Sequence, residues 1–215
     1  ANAAGGNSVA IGLSANAVAV DSIALGRNTV AYANTITIGA NTRSTDVDGV
    51  AIGRDALVNS NAVAIGSNAQ ATAAYSVAIG ANTSSTVANT IVIGTSTHTT
   101  IIPGGVTLSQ SSEVLNTKTG ATGVVDHDFS TGSVFYHTAV AANFTANFTN
   151  VPTTNGRTNV VTLILAQGVS GYLPNAVQIA GSAQTIKWLG GSAPTAGANK
   201  TEIISFTLIR VAGAW

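Results

Sequence analysis

Cysteine and methionine are absent from this 215-residue chain. The missing cysteine excludes disulfides, thiol nucleophiles and thiolate metal sites, although it identifies no compartment. Charge is nearly as scarce. Asp, Glu, Lys and Arg make up 7% of the residues, against about 25% in an ordinary soluble domain. Eight basic residues balance eight acidic ones, so there is no net charge and no basic cluster to neutralise phosphates. Nucleic-acid binding is not expected. Aromatic residues are few, at 5%, and there are only four prolines. The longest apolar run, Val160 to Ala166, is interrupted by Thr162 and falls far short of the ~20 residues that cross a bilayer as a helix. Membrane insertion is therefore not expected. The sequence opens on Ala1 without a charged-then-apolar leader, which reads as a piece or processed product of something longer.

What the chain has instead is repetition. Seven short phrases end in Ile11-Gly12, Leu25-Gly26, Ile38-Gly39, Ile52-Gly53, Ile65-Gly66, Ile79-Gly80 and Ile93-Gly94, at steps of 13 or 14 residues. Self-similarity at a fixed period marks a solenoid in which each repeat is one coil. The residue three before each glycine is Val or Ile, and the one between the bulky pair is small in most copies, as in Ala10, Ala24, Ala51, Ala64 and Ala78. Neighbours in a strand point to opposite faces. The expectation is that Val and Ile fill the coil while the alanines meet a neighbouring chain. Two positions after each glycine stands a turn residue: Ser14, Asn28, Asn41, Asp55, Asn68, Asn82 or Ser96. Gly followed by Asn or Asp is turn chemistry. Each coil then reads as two short strands and two turns, and seven coils spaced at about 4.8 Å give a roll roughly 30–35 Å long.

These phrases resemble the head repeats of trimeric autotransporter adhesins, the YadA-like family, over residues 7 to about 100. The resemblance implies a left-handed parallel β-roll of seven coils that assembles as a homotrimer of three parallel rolls. Rolls of this kind are also found in bacteriophage fibres. A coil of 13 or 14 residues encloses only a thin core and presents a second apolar face, which is a physical reason to want a partner.

Beyond Gly94 the repeats stop. Residues 1–102 read as the roll, 103–123 as a neck or linker around Pro103-Gly104-Gly105, and 124–215 as a second domain. A turn or two of helix is possible at Ser109–Thr117. Strands are expected at Ser133–Ala139, Asn143–Val151, Asn159–Ala166, Ala176–Ala180, Gln184–Leu189 and Glu202–Val211. Asn143 to Thr149 alternates polar and apolar, as a half-buried strand does, and Asn155-Gly156 signals a tight turn to the next strand. Short strands between Gly, Pro and Asn turns point to an antiparallel β-sandwich or jelly roll, so the fold class is all-β throughout. Asp128 to Tyr136, with Gly197 to Arg210, resembles a C-terminal domain of marine bacteriophage structural and tail-fibre proteins.

Candidate chemistry is thin. Asp126-His127-Asp128 with His137 has metal-ligating side chains, but no repeated ligand spacing accompanies them, and they read as a polar turn entering a strand. His98 reads as a surface or interface histidine. No nucleophile elbow and no phosphate-cradling glycine loop is present. Hexapeptide-repeat acyltransferases step by six residues and do not match. No catalytic residue, metal site or cofactor is expected. Tyr172 and Trp188 are the candidates for receptor contact, with buried aromatic roles as the alternative. Two functions remain open. One is a non-enzymatic trimeric fibre or spike of a bacteriophage virion, bound to other virion structural proteins and to a host cell-surface receptor, with the roll as shaft and the second domain distal. The other is the head of a bacterial adhesin on the cell surface.

Overall fold

The protein, described over residues 1–215 by a computed structural model, divides into two compact units, Ala1–Val106 and Thr107–Trp215. No helix is long and apolar enough to cross a membrane.

The first unit is a parallel β-roll. One sheet stacks seven three-residue strands: β2 (Val9–Ile11), β4 (Ile23–Leu25), β6 (Ile36–Ile38), β8 (Val50–Ile52), β10 (Val63–Ile65), β12 (Val77–Ile79) and β14 (Ile91–Ile93). The second stacks seven two-residue strands: β1 (Asn2–Ala3), β3 (Asn16–Ala17), β5 (Val30–Ala31), β7 (Arg43–Ser44), β9 (Leu57–Val58), β11 (Gln70–Ala71) and β13 (Ser84–Ser85). Consecutive strands of each sheet are parallel and one repeat apart, as in Val63↔Val77, Ala64↔Ala78 and Ile65↔Ile79. The chain supplies its own crossover by travelling once around the coil.

Sidedness is the reverse of the sequence expectation. Ala24, Ala51, Ala64 and Ala78 are fully buried inside the coil, and Thr37 takes the same place in β6. Ile11, Ile52, Ile65, Ile79 and Ile93 lie on the outer face and are between 36% and 63% exposed. The reason is volume. A 13- or 14-residue coil brings its two sheets so close that no fully buried side chain of the roll is larger than Val58, and most are alanine, as with Ala62, Ala64, Ala69 and Ala71 in one coil. Interior hydroxyls are satisfied by nearby carbonyls: Thr29 Oγ1 donates to Gly39 at 2.8 Å, and Ser22 Oγ to Ala19 at 2.6 Å. That meets the requirement that buried polar groups find partners.

The second unit begins inside the expected linker. Its strands are β15 (Leu115–Lys118), β16 (Ala121–Asp128), β17 (Val134–Thr149), β18 (Arg157–Gln167), β19 (Pro174–Ile179), β20 (Ser182–Gln184) and β21 (Thr201–Arg210), with a single 3₁₀ turn at Phe129–Thr131. Ser109–Thr117 forms no helix, and Leu115 to Thr117 is strand. The two strands expected at 133–139 and 143–151 are one, and the strand expected at Gln184–Leu189 ends at Gln184.

Pairing also departs from an antiparallel sandwich. Strands β15, β16, β18 and β19 all run parallel to β17, and only the edge strands β20 and β21 are antiparallel to their neighbours. Leu115 lies beside Val134, and Val134 beside Thr162. Val125 lies beside Ala146, and Ala146 beside Val177. The chain therefore returns over itself after each circuit, and the sheet is curled. Asn155-Gly156 does not close a hairpin: Gly156 N donates to the Arg210 carbonyl at 3.0 Å. Alternating polarity reports which face is buried, not the direction of the partner strand. Phe135, Phe144, Phe148, Val161, Leu163 and Leu165 fill the interior.

Candidate functional site

The outer face of the three-residue strands is the most distinctive surface of the roll. Each strand contributes two branched apolar side chains, and the ladder runs from Val9 and Ile11 through Val63 and Ile65 to Ile91 and Ile93. Register keeps like beside like on adjacent coils. Contiguous apolar surface of this regularity marks an interaction face, and β-branched residues hold it rigid at little entropic cost.

Two columns of turn residues frame the coils. The turn after each three-residue strand starts at Gly12, Gly26, Gly39, Gly53, Gly66 or Gly80, all with φ between 124° and 139°. A β-carbon built on Gly66 would sit 2.5 Å from the carbonyl oxygen of Gly80. Glycine is required there by conformation and by the approach of the next coil. Ser14, Asn28, Asn41, Asp55, Asn68 and Asn82 follow in left-handed conformation. Their amides bond from coil to coil, with Asn41 Nδ2 donating to Asp55 at 2.9 Å and Asn68 Nδ2 to Asn82 at 3.1 Å. A second left-handed column, unrecognised in the sequence, holds Asn7, Asp21, Asn34, Asp48, Asn61, Tyr75 and Asn89. Asn7 donates to Asp21 at 3.1 Å and Asn34 to Asp48 at 3.0 Å. The spacing of Asn and Asp just before each apolar phrase was the signal for it. His98 closes the last turn, its Nδ1 accepting from Thr95 N at 2.9 Å.

In the second unit the candidate ligand set separates. His127 and His137 are fully buried, with Nε2 atoms 3.0 Å apart and rings packed near Phe135, Phe144 and Phe148. They stand in strands, not in the polar turn the sequence suggested. A hydrogen bond between these nitrogens requires opposite tautomers, one imidazole donating and the other accepting. Burial lowers the pKa of His127 to about 3, helped by the neighbouring His137. Burial likewise lowers that of His137 to about 4, with Lys118 adding to the effect. Asp126 and Asp128 do not join the imidazoles: Asp126 accepts from Asn147 at 2.7 Å, and Asp128 accepts from Asn150 at 2.8 Å. The bond from Asn150, with those from Ser130, holds the Asp128 carboxyl below the usual range.

Tyr172 and Trp188 have different surroundings. Tyr172 packs against the core, and its backbone is clasped by the Gln167 amide at 2.7 and 3.0 Å. Trp188 instead lines an open cavity of about 1160 Å³ with Ile186, Ile204, Phe206 and Trp215, its ring 6.2 Å from that of Phe206. Tyr172 is not part of that lining.

Comparison with known proteins bears on the roll. Residues 3–29 and 59–83 match the family model of the YadA head domain repeat, in two copies. Among solved structures, the collagen-binding domain of the Yersinia adhesin YadA is 24% identical, with 51% of this chain and 79% of that chain covered and a TM-score of 0.34. No curated protein sequence matches the chain.

Proposed function

We propose that this chain is a non-enzymatic, homotrimeric attachment fibre in which the roll supplies the assembly surface and the second unit the receptor contact. The observation that carries the reading is the outer Val/Ile ladder. Fourteen branched side chains on seven strands are partly exposed on one copy, with no element of the roll itself laid over them. Identical partners satisfy them best, because a ladder of constant pitch is complementary to another ladder of the same pitch. Assembly of copies around that face buries it and leaves the Asn and Asp turn columns in water. The head-repeat match over residues 3–29 and 59–83 supports the same arrangement.

The carrier we favour is a bacteriophage virion, on the resemblance of Asp128 to Tyr136 and Gly197 to Arg210 to phage structural proteins. The head-repeat match equally supports a bacterial cell-surface adhesin. The genes flanking the full reading frame distinguish the two: virion genes on either side favour the first, and an encoded leader with a membrane anchor favours the second.

Attachment through three copies multiplies a modest single contact. Loops carry such contacts disproportionately, and we assign the contact to the loops at 168–173 and 185–200, which carry Tyr172 and Trp188. The test compares cell adsorption of the trimeric chain with an Ile65→Asp chain that cannot assemble, at equal chain concentration. Loss of adsorption on dissociation is expected. Equal adsorption by the dissociated chain contradicts a multivalent role.

A further inference from the structure

The geometry points to an oxyanion-binding site at one end of the curled sheet, formed by Arg157, Asn159, Arg210 and Trp215, which we propose takes the carboxylate or sulfate of an acidic sugar. Arg157 of β18 stands directly opposite Arg210 of β21, and Asn159 opposite Leu208. With a two-residue period, all four share one face. It is the inner face, since Val161, Leu163 and Leu165 of β18 are fully buried. Two arginines facing each other across a ladder repel, and no carboxylate relieves them: the single ion pair of the chain is Arg54 with Asp55. The four acids of the second unit are elsewhere. Glu113 bonds Ser133, Asp126 bonds Asn147 and Asp128 bonds Asn150. Glu202 bonds Gln167 and Gly197, eight residues along β21 from Arg210.

A second observation is independent of charge. Nε of Arg210 and Nδ2 of Asn159 are both buried and have no hydrogen-bond partner. Both are donors, and buried donors are ordinarily satisfied. An acceptor-only group within reach of both would complete the two bonds and neutralise the Arg pair. The guanidinium fork matches a carboxylate or sulfate in two-pronged geometry. The Arg210 guanidinium lies 5.1 Å from the centre of the Trp215 ring. That contact holds the fork in place and sets an aromatic plane next to the anion, the surface on which a sugar ring packs. Arg157 is exposed, so the site opens to solvent beside the Asn155-Gly156 turn. The turn is held to the far end of the chain by Asn155, which accepts from Gly213 N at 2.9 Å.

The inference rests on the attachment reading only for the source of the anion, and the experiment separates the two. The chain holds five arginines, Arg27, Arg43, Arg54, Arg157 and Arg210, so its Nε–Hε resonances are few enough to follow in the intact protein. It is titrated with sodium sulfate, with free glucuronate and with a glucuronate hexasaccharide. Saturable shifts of Arg157 and Arg210, with the three roll arginines unmoved, are expected from at least one of these. Saturation by sulfate alone assigns the site to sulfated sugars, and tighter binding of the hexasaccharide than of glucuronate assigns it to a uronate polymer. Arg157→Gln should weaken binding roughly tenfold, and Arg157→Lys less. No shift with any of the three, equal drift of all five arginines, or an Arg157→Gln chain that binds unchanged would overturn the site. If Arg157→Gln loses the anion but still adsorbs to cells, the site stands and its part in attachment falls.

Discussion

His127 and His137 face each other through Nε2 atoms 3.0 Å apart in the interior of the curled sheet, so the core of the second unit contains a polar bond that cannot survive protonation of both rings. A first proton, taken at the free Nδ1 of the donating ring, places a charge among Phe135, Phe144 and Phe148 with no carboxylate to meet it, and a second leaves two donors facing each other.

Acid should therefore destabilise this unit well before its carboxylates titrate. Both imidazoles have folded pKa values, about 3 and about 4, below the ordinary 6.5. The unfolded chain binds protons first, so stability is full above pH 6.5 and falls as pH drops toward 4. Each histidine contributes a slope of about 1.4 kcal/mol per pH unit in that window. Denaturant midpoints between pH 7 and 4 measure it. Replacing both, as His127→Phe with His137→Leu, should flatten the dependence, and a double variant that keeps the wild-type slope would place the cause elsewhere.

Sidedness of the roll gives a pair of opposite outcomes one residue apart. Ala64→Leu adds volume to a coil interior with no room for it and should cost about 1–3 kcal/mol or more of roll stability. Ile65→Asp lies on the outer face and should leave the single-copy roll folded while abolishing assembly, since burying an unpaired carboxylate between copies is costly. Thermal unfolding read beside molecular mass separates the two effects.

Gly66→Ala meets both a left-handed backbone at φ 139° and the Gly80 carbonyl. The conformation alone costs about 1–3 kcal/mol, and the contact adds to that. A melting temperature within a degree of wild type would show that the coils separate more easily than their register implies.

Tyr75 is the one bulky aromatic in a column otherwise made of Asn and Asp, with φ 56°. Left-handed backbone costs an ordinary L-residue roughly 1–2 kcal/mol, and Asn tolerates it better. Tyr75→Asn should raise roll stability by about 0.5–1 kcal/mol, as measured by thermal unfolding.

Much of the roll was legible because its constraint is local. Gly12 to Gly94 mark where each strand must turn, and the Ser, Asn or Asp two positions on marks the left-handed residue in all but the last coil. Which face of Val63-Ala64-Ile65 turns inward was not legible, because alternation defines two faces without saying which one the coil has room for. The second left-handed column was visible in Asn34, Asp48 and Asn61 but hidden behind the stronger glycine signal. In the second unit, Asn143 to Thr149 was recognisable as a strand. Its parallel partners at 121–128 and 174–179 are set by closure of a curled circuit, which no short stretch of sequence encodes. The His127–His137 bond and the Arg157–Arg210 opposition depend on that long-range register and were invisible for the same reason.

Sedimentation equilibrium of the 215-residue chain tests the central claim most directly. The outer ladder should drive assembly to three times the chain mass of 21.3 kDa, independent of salt because the interface is apolar, and Ile65→Asp should return the mass to a single chain. A wild-type protein that sediments as one chain at micromolar concentration, with its Val/Ile ladder open to solvent, would contradict the account.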